Sequence, residues 1–288
     1  MMNGGVKQTV FAAIGRDTQF SPNMVTNDSA IFSDVARYLT EHGHIVNFYT
    51  EKEFAERGVS ERHIFTMMRS DAAVSCLQTL EANGVKVVNS AFGIENCHRG
   101  VMTGIFQLAG ISAPESMIIR TDAVLSHDVL PHFFNQCWVK RADAQPTGKC
   151  DVTFVDDVNK LNDVLAQFAQ RGVDEVVINA HLPGDLIKFY GVRGTDFFFH
   201  FYPSVSTHSK FGLEAINGEQ KGIPFSEDEL RSVCSAAADA LNVDVYGGDC
   251  IVAADGTIRI IDFNDWPSFS PCRKEAAAAI GSIILKTI

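Results

Sequence analysis

Residues 247–269, GGDCIVAADGTIRIIDFNDWPSF, constrain the fold more than any other stretch of the chain. Asp255-Gly256 is a dipeptide favoured in two-residue hairpin turns, and both flanks are β-branched and apolar enough to be strands. A loop closed by Ala254 and Thr257 pairs Ala253 with Ile258, Ile251 with Ile260 and Asp249 with Asp262. Alternation from the closing pair outward puts the two acids at a close, non-hydrogen-bonded position, their β-carbons about 4.5–5.5 Å apart. Asn264 falls on the same face as Asp262 by the two-residue period of a strand. Two carboxylates and an amide then converge as an oxygen-only set suited to Mg²⁺ or Mn²⁺, with Mg²⁺ completing its shell through water and substrate phosphates. The competing reading is a solvated strand end with two unrelated acids. The neighbours are mostly apolar, and a buried, unpaired acid pair is costly.

A chain of 288 residues, 46% hydrophobic, is long enough for one large domain or two or three small ones with real cores. The net charge of −11 argues against a partner gripped through a general positive field, so neither nucleic acid nor an anionic membrane surface is expected, and phosphate binding must be local. Seven cysteines without a C-x-x-C pair or zinc spacing fit reduced thiols rather than a disulfide framework. The first apolar run is too short for a signal or membrane helix, and a cytoplasmic protein is expected, with a homodimer compatible with the sequence.

Over residues 1–95, strands at 6–14, 44–49, 62–67 and 85–88 alternate with helices at 26–42 and 70–83, the pattern of a small parallel α/β unit. Residues 115–180 read as a second α/β unit, with strands at 116–120, 137–141, 152–155 and 175–179 and helices at 124–134 and 158–171. Phe197 to Tyr202 form a strand with aromatics on both faces, and a helix capped by Ser226 leads into the hairpin. Ser270 as cap and Pro271 at the first position open a closing helix.

The run Asp249, Asp262, Phe263, Asn264 and Pro267 resembles the closing hairpin of the ATP-grasp superfamily. Asn89, Arg99, Gly110, Ile111 and Pro114 resemble its linker helix, with Arg99 at the place of a phosphate-binding lysine. Lys140 in WVKR is similar to the family's V-K-P strand, and residues 142–151 to its phosphate flap, although Gly148 is the one glycine there and Thr147 or Lys149 would have to compensate. Residues 176–194 resemble the hinge and return strand. Backbone groups of Val177, Asn179 and Ala180 would meet the adenine edge, Asp185 the ribose, and Lys188 the nucleotide and substrate phosphates.

The resemblance implies a mixed α/β fold with a parallel N-terminal domain (1–95), a linker helix and small subdomain (96–180) and a large subdomain with the metal site (181–288), ATP lying between the last two. It implies Asp249, Asp262 and Asn264 as metal ligands. Lys188, with Lys210, Arg193 and Arg273, would face the reacting groups, and His208 lies in the same polar connection as Lys210. The implied chemistry is phosphorylation of a carboxylate by ATP with Mg²⁺ or Mn²⁺, then attack by an amine. The substrates would be a small carboxylate and amine, or a peptide acceptor. Gly247 stands where D-alanine ligase types carry an arginine, and I-K-F-Y-G-V is close to wording in the inositol phosphate kinases, so a small-molecule kinase and a non-catalytic nucleotide-binding protein stay open.

Overall fold

The computed structural model describes residues 8–21, 24–125, 130–131, 134–143, 149–203, 216 and 219–288. Three four-stranded sheets account for its architecture. Strands β1 (Val10–Ile14), β2 (Ile45–Tyr49), β3 (His63–Thr66) and β4 (Lys86–Val88) form an all-parallel sheet in the order β2-β1-β3-β4. The buried alternate positions of β1 split between its faces. Phe11 and Ala13 pack with helix α1 (Val25–Glu41), while Ala12 and Ile14 pack towards α2 (Glu51–Arg57) and α3 (Asp71–Ala82). Helix α2 was not anticipated, yet Thr50 and Glu53 form a reciprocal capping box at its start.

After α4 (Ala91–Asn96) and α5 (Arg99–Ala109), a second, antiparallel sheet has the order β5-β8-β6-β7, from β5 (Ser116–Arg120), β6 (Cys137–Arg141), β7 (Val152–Val155) and β8 (Glu175–Ala180). Helix α6 (Leu161–Gln170) covers one face, with Leu165 and Phe168 in its core. The helix expected over 124–134 does not begin at Val124 or Leu125: the Asn162 side chain takes both the N–H and the carbonyl of Leu125, at 3.0 and 2.9 Å. Residues 126–129 and 132–133 lie outside the described set.

The third sheet is also antiparallel, in the order β10-β9-β11-β12, from β9 (Asp185–Val192), β10 (Phe198–Phe201), β11 (Val245–Val252) and β12 (Ile258–Asp265). One face packs on α5 and α7 (Glu227–Leu241), whose Ser226 cap accepts from the Glu229 N–H at 3.2 Å. The other face carries Leu186, Lys188, Tyr190, Gly247, Asp249, Asp262 and Asn264. The final helix, α8 (Arg273–Leu285), turns back onto α1, with Gly281 so close to Tyr38 that a β-carbon would meet the ring. It opens through a short turn at Ser270–Cys272 capped by Phe269 rather than by Ser270.

Asn89 joins the first sheet to the third. It is fully buried, accepts from the Asp244 and Val245 N–H groups at 3.0 and 2.7 Å, and donates to the Val245 carbonyl at 2.8 Å. Removing these three bonds leaves buried peptide groups unpaired, so Asn89→Ala is expected to lose about 2–4 kcal/mol in urea unfolding, against less than about 1 kcal/mol for an exposed Asn→Ala control.

Candidate active site

The hairpin between β11 and β12 departs from the expected turn and still arrives at the expected pair. Its loop has three residues, closed by the Ala253 N–H on the Thr257 carbonyl at 2.9 Å, with the Asp255 carboxylate accepting from the Thr257 N–H at 2.9 Å and Gly256 at φ +83°. A three-residue loop with a left-handed last position is the next commonest hairpin closure. It shifts the register by one, so Val252 faces Ile258 and Cys250 faces Ile260, whereas a two-residue turn pairs Ile251 with Ile260. The ladder then breaks: Ile261 is an extra residue, and Asp249 faces Asp262. A bulge leaves one residue outside the ladder and re-aims its neighbours. Here the Ile261 carbonyl accepts from the Lys140 ammonium of β6 at 2.9 Å, and the Ile260 N–H donates to the Ser112 carbonyl at 2.8 Å, so the outer edge of β12 is covered by the segment entering the second sheet.

A cavity of about 360 Å³ lies over this face, and Arg99, Lys140, Asn179, Ala180, Lys188, Asp249, Asp262 and Asn264 all line it. Lys188 faces Asp249 in register and donates to both of its oxygens at 3.0 and 3.1 Å. Arg99, at the start of α5, approaches Asp262 at 3.4 Å, and the Asn264 amide donates to the other Asp262 oxygen at 3.3 Å. Burial alone would raise the Asp262 pKa, but the charges of Arg99 and Lys140, the Asn264 amide and Lys188 outweigh it and hold the carboxyl below the usual range. Burial, with Arg99 adding to it, pushes the Lys140 ammonium down to about 8, against the pull of Asp262 and Asp249. Arg99 is buried, and its Nε and Nη1 have no hydrogen-bond partner among the described residues. Unspent donors around the acids suit phosphate oxygens.

Among the described residues no group of three or more His, Cys, Asp and Glu side chains converges, so the oxygen set of Asp249, Asp262 and Asn264 is the candidate for a hard cation. Their chemistry fits: two carboxylates on adjacent strands and one amide, balanced by Lys188 and Arg99. Backbone approach is also part of the site. A β-carbon at Gly247 would lie 2.6 Å from Tyr190 and 2.8 Å from Pro267, and one at Gly248 would lie 2.2 Å from the Asp262 carbonyl.

Several expected residues stand elsewhere. Asp185 alternates onto the face of Ile187 and Phe189, away from Lys188, and its carboxylate accepts from the Lys221 and Ile223 N–H groups at 2.8 Å each; it anchors the segment before α7 and does not line the cavity. Strand β8 is central in its sheet, so the backbone groups of Val177 to Asn179 are spent on β5 and β6 and cannot meet an adenine edge. The Val177 side chain lines a smaller cavity of about 160 Å³, beside Arg99 and Lys140, and Leu182, beyond the ladder, lines the main one. Arg193 is held by Asp244 at 2.6 Å and by Asp239 at 3.4 Å, outside the cavity lining. Arg273 donates to Asn27 at 3.1 Å. Thr147, Gly148, His208 and Lys210 lie outside the described residues, and Lys149 opens a short turn, Lys149–Asp151. Sequence reasoning missed Arg16, Arg69, Trp138 and Trp266, which line the cavity. The signal for the first two was their place just past β1 and β3, at the carboxyl ends of parallel strands. Burial, reinforced by Arg16, pushes the Arg69 guanidinium down to about 10, which leaves it charged at neutral pH.

Solved structures align over nearly the whole chain. D-alanine–D-alanine ligase from Bacillus anthracis superposes with a TM-score of 0.68 at 14% identity, covering 97% of each chain. D-alanyl-alanine synthetase A from Vibrio cholerae gives 0.69 at 9% identity, over 98% of this chain and 99% of that one. ATP-grasp ligase PsnB, complexed with a minimal precursor, Mg and ADP, gives 0.64 at 14% identity over 96% of each. The chain has the ATP-grasp fold. No protein-family model and no curated protein sequence matches it. Identities this low carry the fold alone. No helix among the described residues is long and apolar enough to cross a membrane.

A bound phosphate favours the charged Lys140 ammonium and raises its pKa, so anion affinity is full below about pH 8 and falls as pH rises through that value. Calorimetric titration with the non-hydrolysable nucleotide AMPPNP is expected to show a Kd that rises up to about tenfold between roughly pH 7 and 9.5, and Lys140→Met should flatten this profile. An unchanged profile in the variant would assign the pH dependence elsewhere.

Proposed function

We propose that the protein is an ATP- and Mg²⁺-dependent ligase that joins a carboxylate to an amine through an acyl phosphate. The observation that carries this reading is the pairing of Asp249 with Asp262 across a bulged hairpin, with Asn264 beside them and Arg99, Lys140 and Lys188 directed at the same space. In this reading residues 1–95 form the N-terminal domain, and 96–180 and 181–288 the small and large subdomains that hold the nucleotide.

Trp138, Leu182, Leu186 and Ile251, which line the cavity, would hold the base of ATP, and Arg99, Lys140 and Lys188 its phosphates. Asp249, Asp262 and Asn264 would hold Mg²⁺, which when bound neutralises phosphate oxygens. A substrate carboxylate oxygen attacks the γ-phosphorus and ADP leaves with the bonding electrons. The amine then attacks the acyl carbon, loses a proton, and inorganic phosphate departs. The cations stabilise charge as it moves from the γ-phosphate to the bridging oxygen. Lys188, which bridges both Asp249 oxygens, would release Asp249 to the metal as the nucleotide enters.

PsnB is described with a precursor peptide and the alanine ligases act on a small amino acid, so a small carboxylate and amine or a peptide acceptor both suit this fold. One observation favours a second reading, a small-molecule kinase in which transfer stops at a hydroxyl. Position 247 has no room for a side chain, and Arg193 is tied to Asp244, so neither brings a guanidinium to a tetrahedral intermediate.

ADP release measured across a metabolite pool separates the two: the ligase requires a carboxylic acid and an amine together, whereas a kinase responds to a polyol or inositol phosphate alone. Asp262→Ala is expected to lower Mg²⁺-dependent turnover by about 10³-fold or more with the circular-dichroism spectrum unchanged. Retained turnover in that variant would remove the site assignment.

A further inference from the structure

Trp138 lines the main cavity with Ala180, Leu182 and Leu186, on the face of β6 that also carries Lys140. In register it lies between Asn179 of β8 and Phe154 of β7, and the Phe154 ring packs on it with centroids 5.0 Å apart. His181, two residues beyond Asn179 and just past the end of β8, is its diagonal neighbour. The backbone N–H of His181 donates to the Gln136 carbonyl at 2.9 Å, which fixes the chain as it leaves the strand, and its ring stands edge-on to Phe154 at 5.1 Å. From this position it takes a hydrogen bond from the cavity wall: the Trp138 Nε1–H donates to His181 Nδ1 at 3.1 Å.

That bond sets a condition on the imidazole. An indole nitrogen donates and never accepts, so His181 Nδ1 must keep its lone pair, and the one ring proton of the neutral form stands on Nε2. A second proton, on Nδ1, sets two donors against each other at 3.1 Å. The indole then loses both its acceptor and the angle at which it faces the cavity. Burial lowers the His181 pKa from the ordinary histidine value, and among the described residues no charged side chain contributes to that shift. The rings packed against it, Trp138 of β6 and Phe154 of β7, carry no charge. The imidazole is therefore neutral at pH 7 and takes its second proton below about pH 6.5. With its single polar atom spent on His181, Trp138 offers a bound base its aromatic face alone.

We propose that His181 is a positioning residue for nucleotide binding: it orients the Trp138 indole as the wall against which the base rests, and a proton on its Nδ1 releases that wall and weakens the bound nucleotide. This rests on the reading in which Trp138 holds the base of ATP, and it adds an acid limit to the alkaline one assigned to Lys140. Affinity is full while His181 is neutral and is lost as pH falls through its pKa, so the two groups bound a window on either side of pH 7.

Two readouts on the whole protein test it. The first is the indole ¹H–¹⁵N resonance of Trp138, assigned by its absence in Trp138→Phe and followed without nucleotide as pH falls from roughly 7.5 to 5. It is expected to shift in one titration below about pH 6.5 in wild type and to stay still in His181→Asn, whose side-chain oxygen takes the acceptor position of Nδ1 and does not titrate. The second is calorimetric titration with Mg-AMPPNP. Between roughly pH 7 and 5, wild type is expected to lose about tenfold more affinity than His181→Asn, in which the phosphates and metal ligands still titrate. At pH 7, His181→Phe, a ring without an acceptor, is expected to raise Kd about tenfold, and His181→Asn to restore most of that loss. Trp138→Phe, where the pair is absent, should share the flattened acid profile at a higher Kd, and decides the matter if His181→Asn does not fold. Equal acid profiles in wild type and these variants, or a Trp138 resonance indifferent to pH, would overturn the proposal while leaving nucleotide binding intact. Absence of Mg-AMPPNP binding at every pH would remove the ligase reading and the proposal with it.

Discussion

The ammonium of Lys140 on the carbonyl of Ile261 is the contact on which the remaining geometry depends. An edge strand presents unpaired carbonyl and N–H groups that would invite another chain, and on β12 those of Ile258 and Ile260 are taken by Ser112. One extra residue in β12 supplies the carbonyl, turns it towards the second sheet and resets the register so that Asp249 faces Asp262. The same bulge explains why Ile261 and Asp262 are both only half-buried, where strict alternation would hide one of them. The Lys140 contact and the acidic pair thus share a single local irregularity, beside the two bonds that Ser112 makes to regular positions of β12.

Charges placed this way are costly unless compensated. Two carboxylates on neighbouring strands repel, and Lys188 and Arg99 relieve that repulsion by binding one each. The compensation is unequal. Lys188 meets both oxygens of Asp249, whereas Arg99 touches Asp262 at the edge of hydrogen-bonding range and keeps two buried nitrogens without an acceptor among the described residues. A site built for its own stability would close that gap. A site built for a polyanion with a divalent cation leaves donors and carboxylates to be shared with the ligand. Asp265, gripped by Arg69 from the first sheet, fixes the strand immediately after Asn264, so the N-terminal sheet also bears on the position of the amide.

Much of the fold could be read from the chain, because alternating apolar strands and capped helices are local properties. The parallel sheet and the closing hairpin follow from such signals, whereas the antiparallel order of the second sheet was not read from its strand and helix pattern. The shared face of Asp262 and Asn264 was legible because the period of one strand could be counted, and Asp249 meets Asp262 as expected only through the bulge. Legibility failed where that count was not applied: Asp185 and Lys188 are three apart on one strand and cannot face the same side, so the ribose role given to Asp185 is incompatible with β9. The adenine contact assigned to Val177 to Ala180 fails for Val177 to Asn179 because centrality in a sheet is a tertiary fact, while Ala180, at the strand end, lines the cavity. The turn was misread by one residue, and the bulge cancelled the error; nothing in the run Ile260-Ile261 announces an insertion. Arg16 and Arg69 meet only through the crossing order of the first sheet.

The central claim is that Asp249, Asp262 and Asn264 surround one cation that carries nucleotide phosphates. Anomalous diffraction from crystals grown with Mn²⁺ and AMPPNP tests it without reference to turnover. The account places a manganese peak among those three side chains, about 2.1–2.2 Å from their oxygens, with Lys188 moved from Asp249 onto phosphate. A peak elsewhere in the cavity, or nucleotide bound while Lys188 still bridges both Asp249 oxygens, would contradict it.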